Sequence, residues 1–269
     1  MALTELGYRV GVFKPVAGHD MWSQYPVFKK SRKLGFLLGE DVSLYSEYLG
    51  IGDILAVNPV DLLLSPLNPD KYVAERNIRR YLEELSNPLL QIVMARVHKC
   101  SSGETTHFLI EDNAVKAPPA LRKELEEFAS ETGATRTNVE KILELLSNKS
   151  IDDELDYCLN KISKDKEFVL IESFNNALIP YMGLRDKIDE LIVVAPGAAI
   201  IYPSNQSPWR KEYVELVEKR EGLATGSEFV EKTPGRVYHI APRDKPGSRD
   251  ADILNLAVEI AGREKDNQS

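Results

Sequence analysis

Long apolar runs are missing from this chain. None of its 269 residues belongs to a stretch approaching the roughly 18 apolar positions of a membrane-spanning helix. A basic excess is missing too. The formal net charge is −8, which argues against nucleic acid or an anionic membrane as a partner. Cysteine is scarce. Cys100 and Cys158 are too few for a disulfide framework or a zinc site, and both are expected to be free thiols, as in most intracellular chains. The four histidines, His19, His98, His107 and His239, show no metal-ligand spacing. The N-terminus lacks a basic-then-apolar leader. The hydrophobic share of 43% is ordinary, so the expectation is a cytoplasmic protein with a single α/β domain over residues 1–269.

What is present is an alternation of short apolar runs and helical periods. Tyr8–Phe13, Glu167–Ile171 and Glu190–Ala195 read as strands, and continuous apolar runs of that kind suit parallel strands covered on both faces. Gln91–Val97 and Thr105–Ile110 flank the turn-rich HKCSSGE and read as a hairpin. Arg236–Ala241 reads as a last strand. Helical periods run through YPVFKKSRKLGFLL, DVSLYSEYLG, Asp70–Leu85, PALRKELEEFASETG, TRTNVEKILELLSN, SIDDELDYCLNKIS, SPWRKEYVELVEKREG and DADILNLAVEIAGRE. The pattern predicts a mostly parallel sheet flanked by helices, with residues 91–163 as an inserted hairpin and helical subregion.

In open α/β sheets, ligands bind at the carboxyl ends of the strands. Lys14 ends the strand Tyr8–Phe13, and Glu172 ends Glu167–Ile171. A lysine offers a point charge for phosphoryl oxygens. A carboxylate suits Mg²⁺, which takes one or two protein oxygens plus water and phosphate. Each residue also has a plainer reading. A strand-end lysine is commonly a solvated surface group, and Asp41 fits the N-cap of DVSLYSEYLG. His19 and Asp20 read as a solvated turn, and Asn58–Pro59 as turn chemistry.

Four motifs in order carry a family resemblance. GYRVGVFKPVAG resembles the second strand and following loop of dethiobiotin synthetases, which read GYR…KPVASG. Asp41, in GEDVSLY, resembles a family aspartate that helps hold magnesium. VNPVDLLLSPLNP, containing Asn58, resembles the family's VNPY…PxSP segment. VLIESFNN resembles VLVEGAGG, whose glutamate, here Glu172, binds magnesium; ELIVVAP resembles the next strand of that family's sheet. The resemblance covers roughly segments 7–70 and 165–200. It implies a P-loop NTPase-like fold and an ATP-dependent enzyme acting on a small carboxylate or carbamate. Lys14 would be catalytic, Lys14, Gly18 and Asn58 would face the cofactor, and Asp41 and Glu172 would hold Mg²⁺. Homodimers are common among similar proteins, but no stripe marks an interface here.

The chain also departs from that pattern. No GxxxxGK[ST] occurs in it, so the principal phosphate cradle of P-loop NTPases is absent. Leu3–Gly7 reads as the tail of the helix that comes after such a loop. Two explanations stand: a chain truncated at its start, which is favoured, or true loss of the loop. Gly18 replaces the family serine, and Ser173–Asn176 replace the glycines of GAGG, where the organic substrate would bind. The alternative expectation is therefore a non-catalytic nucleotide-binding or regulatory domain on the same scaffold. Ile240–Asp250 sits at the stage of the chain where a nucleotide-contacting loop would come after a last strand.

Overall fold

A computed structural model describes residues 1–203, 213, 225–243 and 250–267. The strands are β1 (Val10–Phe13), β2 (Val16–Asp20), β3 (Val60–Leu64), β4 (Ile92–Lys99), β5 (Glu104–Ile110), β6 (Thr135–Thr137), β7 (Phe168–Ile171), β8 (Glu190–Ala195), β9 (Ala198–Pro203) and β10 (Arg236–His239). The helices are α1 (Ala2–Glu5), α2 (Tyr25–Leu34), α3 (Glu40–Leu49), α4 (Ile54–Val57), α5 (Asp70–Ala74), α6 (Ile78–Leu85), α7 (Glu111–Ala114), α8 (Pro119–Glu131), α9 (Val139–Leu146) and α10 (Lys149–Ser163). Gly226–Lys232 and Ala251–Asn267 are also helical. The fold is α/β, and the chain divides into two compact units: Phe13–Lys161, and Met1–Val12 with Ile162–Ser269.

The unit Phe13–Lys161 is built on a five-stranded sheet in the order β2-β3-β4-β5-β6. Its pairings β2–β3 and β5–β6 are parallel, and β3–β4 and β4–β5 are antiparallel. The sheet is mixed where a mostly parallel one was expected. The cause is the hairpin: β4 and β5 are joined by a short turn, which forces antiparallel pairing, and β4 is the middle strand. The segment 91–163 thus supplies three strands of this sheet.

Both faces of the sheet are covered. On one, Leu63, Met94 and Leu109 pack with Phe28 from α2 and with Leu125 and Phe128 from α8. On the other, Ala95 and Ile110 pack with Ile142 from α9. Each large apolar side chain buried in this way contributes roughly 1.5–3 kcal/mol. Helix stops obey local chemistry. Gly35 (φ 76°) closes α2 and Gly50 (φ 62°) closes α3, both in the left-handed region that glycine adopts freely. The single helix expected over Asp70–Leu85 is two, because Arg76 turns left-handed (φ 53°) and the Asn77 side chain caps α6 by accepting from the Arg80 N–H.

The cysteines are not free. Cys100, in the β4–β5 turn, is disulfide-bonded to Cys158 on α10, with their Cα atoms 5.4 Å apart. The glutamate Glu154, one turn earlier on α10, reinforces the attachment by accepting from the Ser101 N–H (3.2 Å) and hydroxyl. The expectation failed because 58 residues separate the two cysteines and only the folded topology lays the hairpin turn over the helix. Such a bond is uncommon in a reducing cytosol. No helix among the described residues is long and apolar enough to cross a membrane.

In the other unit, β1 pairs with β7, and β8, β9 and β10 form an antiparallel sheet in the order β10-β9-β8. The run Glu190–Ala195 is therefore not a parallel strand. Pro196 and Gly197 (φ 83°) make a two-residue turn that sends the chain straight back as β9. Leu178, Ile179, Leu191, Tyr202, Tyr213 and Phe229 form its core. The rest of SPWRKEYVELVEKREG, with Trp209 and Arg210, lies outside the described residues, as does most of Ile240–Asp250.

Candidate functional site

Lys14 comes directly after β1, and its own backbone is anchored on both sides. Its N–H donates to the Val57 carbonyl (2.8 Å), and its carbonyl accepts from Asn58 Nδ2 (2.8 Å). Its side chain is buried, and the ammonium is paired with the Asp41 carboxylate. Asp41 sits in the first turn of α3, not at its N-cap, which is Gly39. Its side chain is 47% exposed. Three of the motifs therefore meet here: the strand-end lysine, the GED aspartate and the VNP asparagine.

Asn58 is wholly buried and saturated. Its amide donates to the carbonyls of Lys14 (2.8 Å) and Val60 (2.7 Å), and its Oδ1 accepts from Arg96 (2.7 Å). It shapes the loop that carries Lys14, and those bonds occupy its polar atoms. Gly18 lies on β2 opposite Leu62, with its backbone exposed. Glu172 comes after β7 in the other unit, half-buried. Among the described residues, no group of three or more His, Cys, Asp or Glu side chains is gathered to hold a metal. Magnesium itself needs only one or two carboxylates beside water and phosphate.

Below the pair runs a buried polar row. Ladder pairing places Ala17, Asp61, Arg96 and His107 side by side across β2, β3, β4 and β5. His19, two residues along β2, brings Nδ1 to 2.9 Å from Asp61 Oδ1, within electrostatic reach but without hydrogen-bond alignment. VAGHD is thus a strand with a buried histidine, not the solvated turn expected of His19 and Asp20. Asp61 and Arg96 have no exposed surface. Burial pushes the Asp61 carboxyl up, but the neighbouring His19 and Arg96 side chains and the Gly39 N–H outweigh it and hold the group below its ordinary range. Burial lowers Arg96 to about 10, so the guanidinium stays charged at neutral pH. His107 is pushed down to about 4, by burial first and then by Arg96. It is therefore neutral at pH 7, and its Nε2 accepts from the Leu37 N–H (3.4 Å).

Charge governs what this surface can do. Two carboxylates, Glu40 and Asp41, occupy the first turn of α3, where an anion would otherwise be welcome. A bare polyphosphate would be repelled, whereas one carrying Mg²⁺ could exchange a cation contact with Asp41 and a phosphate contact with Lys14.

No family model, curated protein or solved structure matches the chain. Sequence reasoning missed Asp61, Arg96 and His107. A signal for the first two exists: each is a lone charge inside an apolar strand, VDLLL and IVMARV, and a buried lone charge demands a partner.

Proposed function

We propose that this chain is a nucleotide-binding α/β protein of the dethiobiotin synthetase-like kind, acting on Mg²⁺·ATP. The observation that carries the reading is the contact between Lys14 and Asp41. The two residues that the resemblance assigns to phosphate and metal, 27 positions apart, form one ion pair at a strand end. In this reading Lys14 would hold phosphoryl oxygens and Asp41 would hold the Mg²⁺, which would supply charge neutralisation for the polyphosphate. Positioning and charge stabilisation would then drive phosphoryl transfer or ATP hydrolysis. The acceptor would be a carboxylate or carbamate, by family analogy alone.

A second reading rests on the sequence: with no GxxxxGK[ST] in the chain, the domain binds nucleotide without turning it over. Calorimetry with Mg·ATP tests the shared part. Binding is expected to be weak and to require Mg²⁺. It should fall about tenfold, the worth of one charge-assisted contact, in Lys14→Met and Asp41→Asn variants that keep the wild-type circular dichroism. Absence of binding to the wild-type chain at millimolar Mg·ATP overturns both readings. Phosphate release from bound ATP separates the enzyme from the binding domain.

A further inference from the structure

We propose that Arg96 is the positioning residue of the Lys14–Asp41 site, its guanidinium clamping together the two loops that bring the pair into contact. The inference rests on the nucleotide-site reading for its purpose, but its geometry stands alone. On one side, Arg96 Nη2 donates to both the carbonyl and the side-chain oxygen of Asn58, each at 2.7 Å. Nη1 reaches the Pro59 carbonyl at 3.4 Å. Asn58 in turn holds the Lys14 carbonyl. On the other side, Arg96 Nε donates to the Leu37 carbonyl at 2.8 Å. The Leu37 N–H is held by His107, and Ser31 Oγ accepts from the Leu38 N–H at 3.0 Å. Gly39, the next residue, is the N-cap of α3, and Asp41 lies in the first turn of that helix.

One planar group therefore fixes the backbone next to both members of the pair. Only arginine has this reach. Its fork presents five donors in fixed directions, whereas a lysine ammonium is a single point that cannot span two loops. Asp61, opposite Arg96 in the ladder, supplies the countercharge that lets the guanidinium be buried. The arrangement explains why a charged residue occupies the middle strand of the sheet: it orders surface loops from beneath. Lys14 and Asp41 touch the ligand in the proposed function; Arg96 acts through them.

The test is Arg96→Lys, which keeps the charge beside Asp61 and removes the fork. The readout is the Lys14 ammonium resonance in ¹H–¹⁵N spectra, which should shift in wild type when Asp41→Asn is introduced. In the Arg96→Lys background that response should be lost, and Mg·ATP affinity should fall about ten- to hundredfold, as for other groups that orient a site from behind. Leu125→Val, a core change on α8, should lower the urea midpoint yet leave the response intact, which a merely structural role for Arg96 would not distinguish. Should Arg96→Lys fail to fold, the wild-type Arg96 Nε–H resonance takes its place: it should move in both Lys14→Met and Asp41→Asn proteins. A folded Arg96→Lys variant that keeps the response and the affinity, or an Arg96 resonance indifferent to both substitutions, overturns the inference. Failure of wild type to bind Mg·ATP would instead sink the functional reading and leave the coupling measurement standing.

Discussion

Asp61 and Arg96 sit opposite one another in the β3–β4 ladder, both wholly buried. An interior guanidinium is tolerable only with a countercharge and filled hydrogen bonds, and Arg96 has both. Removing the countercharge alone should therefore be costly. Asp61→Asn keeps the volume and leaves the buried Arg96 guanidinium without its carboxylate, so it is expected to destabilise the protein by about 3–5 kcal/mol. Urea denaturation at pH 7.5 measures this. A loss under about 1 kcal/mol, the scale of a surface pair, would mean that Asp61 is not what balances Arg96.

Acid should cost this protein stability in two pH windows. His107 is neutral in the fold, pushed to about 4, and regains an ordinary pKa near 6.5 on unfolding. Between those values the unfolded chain binds the extra proton, so stability falls as pH falls through the window. The contribution is up to about 3 kcal/mol at roughly 1.4 kcal/mol per pH unit. Asp61, held below the usual carboxylate range, adds a second loss at still lower pH, as its stabilising charge is protonated away. His107→Gln keeps an acceptor for the Leu37 N–H but does not titrate. Its urea midpoint should change much less than that of wild type between pH 7 and pH 4.5. Parallel pH profiles for the two proteins would remove His107 from the account.

The bond between Cys100 and Cys158 closes a loop of 58 residues in sequence separation. On the chain-entropy model a loop of that length corresponds to about 4 kcal/mol of stabilisation. The sulfurs are shielded, Cys100 at 9% and Cys158 at 0% exposure, so mild reductant should act slowly on the native protein. Cys158→Ala should lower the urea-derived stability by about 2–4 kcal/mol. Non-reducing peptide mapping of natively expressed protein should yield a single cross-linked peptide pair; two freely alkylated thiols would show that the bond does not form where the protein is made.

Much of the unit Phe13–Lys161 is legible in the chain because its signals are local. The HKCSSGE turn marks the β4–β5 hairpin, and the apolar periods of α8, α9 and α10 are strong. The rest depends on tertiary contact. β2 reads as loop because glycine, histidine and aspartate fill it, and only the apposition of β3 makes VAGHD a strand. The break at Arg76 is invisible to periodicity, since the apolar spacing runs on through it. Pro196–Gly197 is visible as a strand end, but the direction the chain then takes is not. It turns back because Ala198–Pro203 is itself a strand that pairs with β8. In the site, Lys14 and Asp41 announce themselves by motif. The residues beneath them do not, because their role is set by cross-strand register rather than by spacing along the chain.

Gly235 offers a sharp test of the antiparallel sheet in the other unit. Its φ is not in the left-handed region, so alanine would be acceptable to the backbone. Space is the obstacle. A Cβ there would lie 2.5 Å from Ile200 Cγ2 and 2.6 Å from Tyr202 Cε1. The Tyr202 ring is buried and packs edge-on against Phe229, with centroids 4.9 Å apart, so it cannot swing aside without opening the core. Gly235→Ala is therefore expected to destabilise by about 1–3 kcal/mol, the usual cost of overpacking. Because part of the strain comes from contact with the Tyr202 ring and the rest from Ile200, it should be partly relieved when the tyrosine is shortened. The double variant with Tyr202→Leu should be less destabilised than the sum of the singles, by at least about 0.5 kcal/mol, the threshold at which neighbouring sites count as coupled. Strict additivity would mean that Gly235 does not lie against Tyr202, and that β10 is not where the β9 register puts it.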